Sequence, residues 1–539
     1  MRHSSVLGLL AFAGCNAVLG VVPGDLEQSA TTTGSAATTG SATTTGAGGD
    51  GGGGGQGGQA SCGDGPDTAV GSLRWAHGSS GSTEARATAV ALGPEGHVIV
   101  GGTYVGTGQI GSTVLPATTN YNAFLATFDA EGGSPIWAQA WNGDGEHYVS
   151  DVATTFGGAI AVTGYFEGTI SFDGGDSTLT ALTPPGVNYG DAFVALFDGS
   201  GGLRWAAQLG NQSDTSGTGV AFDATGNLYV AVIGGGPLDF GEMSQGAAGD
   251  YGIFLAKYSA RGVVLWSRFF AASALDGTSA GLAVSADGGV VVTASTASNA
   301  FGSADALNGE TGVAVAKYDA AGVQLWSRLF SGSQGSTDRH FGTAVAVDCT
   351  GDVLVTGGFA GDIVFDGKGT FDAPPDGNGP DESDIFLAKL EGETGGVTWA
   401  KAFHDSGYQA GGQIRRDHAG GALSADLGGN ILLSGVLYDS ALSSGINVGG
   451  GILPPSAIEA TDFREDMLLA KFDAGGNHLW SKRFKNQVSG EAIQAGEAVV
   501  TPAGAIVAAG EFYSTIDLDP APAGHLSAFH DMFVASFDP

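Results

Sequence analysis

The sequence predicts an all-β protein, a seven-bladed β-propeller of four-stranded blades whose ring closes by pairing the N-terminal strand with the C-terminal strands. Three observations predict it: a recurring tryptophan, strand-like runs between glycine-containing turns, and incomplete repeats at the two ends of the array. The tryptophans recur every 60 to 80 residues, and a period of this length indicates a repeat architecture. They are Trp75, Trp137, Trp205, Trp266, Trp326, Trp399 and Trp480, with Trp141 outside the series.

The fifth repeat shows the four strands most clearly. They are Thr343–Asp348, Val353–Phe359, Asp384–Leu390 and Val397–Phe403. Turns containing Gly, Asp or Asn bound these runs, which is typical of strands joined by hairpins. None of them shows a sustained helical period, so the class is all-β. The tryptophan of each fourth strand is expected to pack as core between neighbouring sheets.

The two ends of the array predict how the ring closes. The array opens on an isolated fourth strand, Gly71–His77, and ends on a third strand, Asp531–Asp538, with no fourth strand after it. Pairing the two completes a seventh unit and removes the exposed edges that a linear stack of sheets would leave. A solenoid is the alternative, but it gives no reason for an isolated fourth strand at the start.

Charge narrows the range of functions. The 539 residues include 96 Gly, 55 Asp or Glu and only 20 Lys or Arg, and the formal net charge is −35. Nucleic-acid binding needs Lys and Arg to neutralise phosphates, so we expect no nucleic-acid partner. Attraction to anionic lipid surfaces is disfavoured for the same reason. The acids form a solvated surface on the simpler interpretation, and they provide ligands for divalent cations on the other.

The N-terminus has the pattern of an export signal. Arg2 precedes a short apolar run, 6–12, and the segment Phe-Ala-Gly-Cys ending at Cys15 resembles the lipobox of bacterial lipoproteins. The resemblance implies cleavage before Cys15 and a lipid on its thiol. Ordinary export is the alternative. We therefore expect a protein at the cell envelope, on the outer membrane or cell surface rather than the inner membrane, that is held to the membrane by its lipid anchor only.

The chain divides into a signal peptide at 1–14, a tether at 15–68 and the propeller at 69–539. The tether is rich in Ser, Thr, Ala and Gly and has few large apolar residues, so we expect it to be disordered. If Cys15 is lipidated, two cysteines remain, Cys62 and Cys349. The sequence leaves open whether they pair.

Two stretches resemble a known bacterial repeat. One is Asp-Ala-Phe-Val-Ala-Leu-Phe-Asp at 191–198, followed by Gly-Leu-Arg-Trp at 202–205. The other is Gly-Thr-Ala-Val-Ala-Val-Asp at 342–348, followed by Val-Leu-Val-Thr-Gly at 353–357. They resemble the SBBP repeat, a β-propeller repeat, and the likeness extends over essentially residues 70–539. The resemblance implies a seven-bladed propeller in exported or surface proteins. It implies no common enzymatic activity and no functional residues.

Candidate binding residues lie where a fourth strand leads into the next first strand, and where a second strand leads into a third. Both sets of loops open on one face of a propeller, near its central channel. The candidates are His77, Asp144, Glu146, His147, Asp338, His340, His404, Arg415, Asp417 and His418. Six further acids assigned to these loops are Glu84, Asp151, Asp214, Asp276, Asp405 and Glu491. The acids could bind a divalent metal, or each could cap a turn through its own backbone.

The densest acidic segment precedes the third strand of the fifth repeat. It contains Asp376, Asn378, Asp381, Glu382 and Asp384. Oxygen ligands of this kind suit calcium, which is the only cofactor that the sequence suggests. A solvated loop is the alternative.

The sequence lacks the common catalytic motifs. It contains no Gly-x-Ser-x-Gly elbow, His-Glu-x-x-His pair, Cys-x-x-Cys set or phosphate-binding loop. It does not show which acids meet across the channel, so a carboxylate pair for glycan cleavage is not tested by that search. We expect a non-catalytic binding or scaffold module for a cell-surface or extracellular protein or glycan. A glycan-active hydrolase or lyase and a calcium-dependent adhesin are the alternatives.

Overall fold

The structure is a computed structural model, and the ranges that it describes cover most of the predicted propeller. They are 71–175, 177–182, 189–241, 243–271, 280–296, 301, 311–332, 340–373, 384–404, 418–440, 445–456, 463–485, 493–501, 504–518 and 525–539. The predicted signal peptide and tether lie outside them. Across these ranges we find no helix with the length and apolar character needed to span a membrane.

Seven antiparallel four-stranded sheets follow one another, each with its strands in the order a, b, c, d. The strands a are Ser80–Leu92, His147–Thr154, Thr215–Phe222, Ala280–Val284, His340–Val347, His418–Ala425 and Ile493–Val500. The strands b are Val98–Ile110, Ile160–Phe166, Leu228–Gly235, Val290–Thr296, Val353–Phe359, Ile431–Ser440 and Ile506–Asp517. The strands c are Thr118–Phe128, Asp191–Phe197, Tyr251–Tyr258, Gly312–Tyr318, Asp384–Leu390, Phe463–Phe472 and His525–Phe537. The strands d are Pro135–Trp141, Leu203–Leu209, Val264–Ala271, Gln324–Phe330, Val397–Phe403, His478–Phe484 and, in blade 7, Leu73–Gly78.

The minor elements are short extensions of the blades. A 3₁₀ turn, Pro94–Gly96, links strands a and b of blade 1, and Thr113–Val114 adds to strand b of that blade. Two-stranded ribbons extend the b–c connections of blades 2, 3, 5 and 6. Their strands are Thr169–Ser171 with Thr178–Thr180, Leu238–Asp239 with Ser244–Gln245, Gly361–Phe365 with Gly369–Ala373, and Ile446–Asn447 with Ile452–Leu453.

Ring closure occurs as the sequence predicts. Strand d of blade 7 comes from the N-terminal side of the propeller and pairs antiparallel with the C-terminal strand, with Ala76 opposite Ala535. The Asp538 amide donates to the Ser72 carbonyl at 2.8 Å, where a covalent turn joins strands c and d in the other blades. The predicted all-β, seven-bladed propeller is therefore confirmed.

The strand order defines two faces of the ring. Strands a are innermost, and each contacts the strand a of the next blade. Because neighbouring strands are antiparallel, strands a and c begin on one face, which we call the upper face. The opposite, lower face carries the a–b and c–d turns. The hydrophobic core is divided into seven clusters, and each cluster is shared by two adjacent blades.

The recurring tryptophan links each blade to the next. The Trp266 indole Nε1 donates to the Ala320 carbonyl in the c–d turn of blade 4 at 3.1 Å, and the ring lies against Gly322 of that turn. The same bond joins Trp75 to Ala130, Trp137 to Gly199, Trp205 to Ala260, Trp326 to Gly392 and Trp399 to Ala474. The expectation that these rings pack between neighbouring sheets is confirmed.

We predict that Gly322→Ala destabilises the ring more than Gly226→Ala. Both glycines have φ of +80°, so an alanine at either position is strained by about 1–2 kcal/mol. A Cβ at Gly322 would lie 2.8 Å from Trp266 Cδ2, whereas one at Gly226 would meet no atom within 4 Å. Overpacking adds about 1–3 kcal/mol at Gly322 alone. Urea denaturation midpoints of the two variants test this difference. Equal decreases in the two midpoints would show that the clash with Trp266 adds nothing to the cost of the backbone strain.

Candidate functional site

A group of charged side chains at the joint between blades 7 and 1 is the strongest candidate site on the upper face. We call Glu84, Arg86, Glu511 and His530 the Glu–Arg–His cluster. Glu84 and Arg86 lie near the start of strand a of blade 1, Glu511 lies toward the upper end of strand b of blade 7, and His530 lies on the paired strand c. Closure of the ring brings these segments together, although they lie at opposite ends of the sequence.

The cluster is a charge-balanced network. Arg86 Nε donates to Glu84 Oε1 at 2.7 Å and lies 3.2 Å from Glu511 Oε2. His530 Nε2 lies 2.5 Å from Glu511 Oε2, and its Nδ1 lies 3.4 Å from Glu84 Oε1. Glu511 and His530 are buried, whereas 35% of the Arg86 side chain remains exposed. Each carboxylate therefore faces both cationic side chains.

These contacts set the protonation states of the cluster. Burial opposes the charge on His530, but hydrogen bonds to Glu511 and Glu84 raise its pKa above the ordinary 6.5. Burial also opposes the charge on Glu84, yet the bond from His530 and the charge of Arg86 lower its pKa to about 2. The contacts thus favour the ionised form of Glu84 and the protonated form of the His530 imidazole.

The cluster has the residue types of a metal site. One ligand atom from each of Glu84, Glu511 and His530 lies within 4.8 Å of the others. A metal ion would need a neutral imidazole, however, and it would have to displace Arg86 from the same carboxylate oxygens. The ion-pair network therefore fits these side chains better than a metal does.

Tyrosines extend the cluster across blades 1 and 2. The ring centroids of Tyr121 and Tyr148 lie 5.5 Å apart, and those of Tyr148 and Tyr165 lie 6.0 Å apart. We call these three residues the tyrosine row. At the other end of the cluster, Tyr513 stacks on His530 with centroids 3.8 Å apart. Tyr121, Tyr148 and Tyr513 are half-buried, so part of each side chain faces solvent.

Each hydroxyl of the row donates to its own glutamate. The bonds are Tyr121 to Glu84 at 2.8 Å, Tyr148 to Glu146 at 2.6 Å and Tyr165 to Glu167 at 3.0 Å. Burial and the adjacent carboxylates raise the pKa of Tyr121 to about 12 and raise those of Tyr148 and Tyr165 further. The row consists of neutral, oriented rings, and none of them has the lowered pKa that a tyrosine base would need.

Three acids surround the far end of the row, near Tyr165. Burial raises the pKa of Glu167, Asp191 and Asp214, and the charges of Glu167 and Asp191 add to the effect at Asp214. Asp191 is fully buried and accepts the Leu182 amide at 2.7 Å, so its role is structural. Glu167 and Asp214 are only partly buried and are open to a ligand on at least one side.

Two histidines predicted to line the channel face are instead buried, and both ring nitrogens of each one are hydrogen-bonded within the protein. His147 and His340 are the first residues of their strands a, and both are fully buried. The His147 ring nitrogens contact Asn122 Oδ1 at 3.1 Å and the Thr169 carbonyl at 2.8 Å. Those of His340 contact the carbonyls of Thr311 and Asp362, at 2.5 and 2.8 Å. Neither imidazole has a nitrogen left for a ligand, which corrects the prediction for these two residues.

The remaining described candidates are dispersed. Glu146 joins the tyrosine row, Asp144 lies in an exposed turn, and His418 begins strand a of blade 6. His77 packs against Trp75 and Phe128 between blades 7 and 1 and is not on the channel face. His404 Nδ1 bonds Asp384 Oδ2 at the upper edge of blade 5.

Asp384 occupies a recurring structural position. Asp191 and Asp466, at the same place in their strands c, bond Gln208 and Arg483 of strand d. Asp384 bonds His404, which directly follows strand d of its own blade. The acid is therefore engaged in holding c to d, which weakens its assignment as a calcium ligand.

Several predicted residues lie outside the described ranges. They are Cys15, Cys62, Asp276, Asp338, Asp376, Asn378, Asp381, Glu382, Asp405, Arg415, Asp417 and Glu491. The calcium prediction for the acidic loop stays a prediction. Cys349, in the a–b turn of blade 5, is disulfide-bonded, and the other two cysteines of the chain both lie outside the described ranges.

Sequence reasoning missed Arg86, Glu511, His530 and the tyrosines. A local signal was present: a glutamate and a tyrosine two residues apart at the upper end of a strand. It occurs as Glu146 with Tyr148, Tyr165 with Glu167, and Glu511 with Tyr513. Residues two apart on a strand point to the same side, so such a pair can bond or share one surface.

Comparison with known proteins supports the repeat and the fold. The family model described as the SBBP beta-propeller repeat matches residues 204–231, from strand d of blade 2 into strand b of blade 3. None of the curated proteins is detectably similar in sequence to this chain. The fold and this match together define the chain as a seven-bladed propeller that carries an SBBP-type repeat.

Solved structures resemble the chain only distantly. A protein of unknown function from Bacteroides caccae is 13% identical over 68% of this chain and 91% of its own, with a TM-score of 0.34. A quinohemoprotein alcohol dehydrogenase from Pseudomonas putida HK5 is 9% identical over 86% and 76%, with a TM-score of 0.37. An ulvan lyase from a new polysaccharide lyase family is 10% identical over 80% and 93%, with a TM-score of 0.38. Neither enzyme's activity transfers to this chain at such similarity.

We predict opposite pH dependences for His530→Gln and His147→Gln. The raised pKa of His530 contributes stability that is fully present below pH 6.5 and is lost as pH rises through the folded pKa. His530→Gln should therefore cost more at pH 6 than at pH 9. Burial lowers the pKa of His147, so His147→Gln should cost less at pH 5 than at pH 8. Urea unfolding between pH 5 and 9 measures both slopes, and parallel slopes would contradict the assignment of an imidazolium at His530.

Proposed function

We propose that this chain is a non-catalytic glycan-binding module of the cell envelope, and that the tyrosine row with the Glu–Arg–His cluster is its binding surface. The observation that carries the proposal is the line of tyrosine rings whose hydroxyls are fixed by carboxylates. Two of these rings, Tyr121 and Tyr148, are half-buried, and the third, Tyr165, is buried behind them. The C–H faces of sugars pack on aromatic rings, and sugar hydroxyls donate to carboxylates. Fixed rings lose little side-chain entropy on binding, so they bind a sugar polymer more tightly than flexible side chains would.

The charge of the surface selects the kind of glycan. The acids Glu84, Glu146, Glu167, Asp214 and Glu511 outnumber the two cations of the cluster, and both cations already contact carboxylates. The whole chain carries a net charge of −35. A polyanionic glycan would be repelled, since like charges brought together on binding are costly. We therefore propose an uncharged glycan or one with amino sugars.

Binding explains the arrangement better than catalysis does. Glycoside cleavage needs a protonated and an ionised carboxyl group facing each other across the sugar. Glu84, which is ionised, and Glu167, whose pKa is raised, lie at opposite ends of the row with Tyr148 between them. The pair is thus not arranged around one sugar ring.

A glycan hydrolase is the second candidate function. The raised pKa values of Glu167 and Asp214 favour it, because a general acid must hold its proton near neutral pH. In this version Glu167 would be the proton donor, and Glu167→Gln would abolish turnover.

We predict that Tyr121→Ala and Tyr148→Ala each weaken glycan binding by roughly three- to tenfold. An aromatic contact contributes about 0.5–1.5 kcal/mol, and 1.4 kcal/mol corresponds to tenfold in affinity. Affinity electrophoresis in gels containing neutral or amino-sugar polysaccharides measures the change. Phe156→Ala is the matched control, because Phe156 is 68% exposed in an a–b turn on the lower face.

Three outcomes of this experiment would count against the proposal. Retardation that is lost equally in Phe156→Ala would show non-specific adsorption. Preference for polyanionic glycans would contradict the charge argument. Release of reducing ends without unsaturated products by the wild type, lost in Glu167→Gln, would favour the hydrolase instead.

We further propose that the chain is exported and lipid-anchored through Cys15, which would display the propeller at the end of a disordered tether. The lipobox-like segment before Cys15 supports this. Cys15→Ala should move the protein from the membrane fraction to the soluble fraction and abolish incorporation of labelled palmitate. A Cys62→Ala variant is the control and should keep both properties. Unchanged fractionation of Cys15→Ala would exclude the lipid anchor.

A further inference from the structure

Arg86 keeps hydrogen-bond donors for a ligand. Its guanidinium group has five N–H bonds. Nε and Nη2 donate to Glu84 Oε1, and Nε also lies 3.2 Å from Glu511 Oε2. Nη1 has no hydrogen-bond partner among the described residues, and 35% of the side chain is exposed. The two carboxylates thus fix the guanidinium group while leaving the N–H bonds of Nη1 unused.

The other donors of the surface are already engaged with carboxylates. Both ring nitrogens of His530 face an acid, Nε2 toward Glu511 and Nδ1 toward Glu84. The three hydroxyls of the tyrosine row each donate to a glutamate. Within the Glu–Arg–His cluster and the tyrosine row, Arg86 is therefore the side chain that can donate to a ligand without giving up a bond.

A half-buried tyrosine ring accompanies each cation of the cluster. The Arg86 carbon Cζ lies 5.6 Å from the centroid of the Tyr121 ring. His530 contacts the same Glu511 oxygen as Arg86 and stacks on Tyr513, with ring centroids 3.8 Å apart. Both tyrosines are half-buried. Aromatic surface therefore adjoins Arg86 on the blade 1 side and His530 on the blade 7 side.

The backbone next to Tyr513 is strained. Ser514 has φ of +66°, a left-handed conformation that residues other than glycine rarely adopt. The register between strands b and c of blade 7 shifts at the same point, because Tyr513 pairs with His530 and Ser514 with Ala528. Strain of this kind is concentrated at ligand-binding sites. Its position directly after Tyr513 supports a role for that ring in binding.

The chemistry of Arg86 Nη1 selects the group that it binds. The group must accept a hydrogen bond, which excludes the ammonium of a free amino sugar. A carboxylate or sulfate would accept, but binding would bring it against the carboxylates of Glu84 and Glu511. An amide carbonyl accepts without carrying a charge, and the flat amide with its methyl group packs on aromatic rings. An acetamido group therefore combines a neutral acceptor with ring contact.

We propose that Arg86, with Tyr121 and Tyr513, forms a subsite for the acetamido group of an N-acetylated amino sugar. Arg86 Nη1 donates to the acetamido carbonyl, and the methyl group packs on the aromatic surface. The inference rests on the proposed glycan binding and narrows its ligand class. A glycan of N-acetylated amino sugars binds more tightly than one of neutral hexoses or of free amino sugars.

The test compares three β-1,4-linked hexasaccharides that differ only in the group on C2. Cellohexaose has a hydroxyl there, the glucosamine hexamer has an amine, and the N-acetylglucosamine hexamer has an acetamido group. Isothermal titration calorimetry with the full chain gives each dissociation constant, at low and at high salt. We expect the acetylated hexamer to bind about tenfold more tightly than cellohexaose at both salt concentrations, the effect of one hydrogen bond to a charged group.

Arg86→Lys removes Nη1 and keeps a positive charge beside Glu84 and Glu511. It should lower the affinity for the acetylated hexamer about tenfold and so abolish the preference over cellohexaose. Arg268→Lys is the matched control and should keep the preference. Arg268 Cζ also lies 5.6 Å from a ring centroid, that of Trp266, but on strand d of blade 3, outside the proposed surface.

The outcomes separate failure of the subsite from failure of the proposed function. Equal affinity for the three hexamers, or a preference that survives in Arg86→Lys, would overturn the subsite and leave glycan binding intact. Tightest binding of the amine, lost at high salt, would also overturn the subsite and assign binding to the surface acids alone. No binding of any hexamer would overturn both proposals. The hexamer series on the wild type does not require any variant to fold.

Discussion

The fold depends on one contact repeated around the ring, in which a tryptophan of strand d lies on a glycine in the c–d turn of the next blade. The indole N–H bonds a carbonyl of that turn, so apolar packing and a directional bond fix the same joint. Blade 6 shows what happens where this turn is missing. Trp480 packs on Gly71 at the start of the propeller, and its Nε1 has no partner among the described residues. Closure preserves the packing at that joint and loses the bond.

Part of the acidity of the described chain is explained by this scaffold. Asp198, Asp319 and Asp473 each accept amides of their own c–d turns, and Asp223 and Asp348 do the same in a–b turns. These last two also pair with buried lysines of strand c, Lys257 at 2.9 Å and Lys389 at 2.7 Å. Many of the carboxylates are therefore present because the fold has many turns. Only acids outside these turn positions are candidates for binding a ligand.

The fold could be predicted from the sequence because its cause is local and repeated. Three strands of blade 5 have the predicted bounds, and strand a begins earlier, at His340, because its upper end still pairs with strand b. The site could not be predicted, because Glu84 and His530 meet only when the ring closes. His147 and His340 were misplaced since a strand's first residue can point to either side, and the sequence does not show which.

The candidate glycan surface involves blades 7, 1 and 2, and the scaffold explains how these blades can differ. Backbone pairing and the tryptophan contact hold every blade in place from its middle and lower parts. Side chains at the upper ends of strands are not needed for either. Glu511 and Tyr165 occupy the same position in their strands b, yet one is an acid and the other an aromatic ring. Chemistry specific to this chain therefore resides where the repeats differ, and the repeats supply only its geometry.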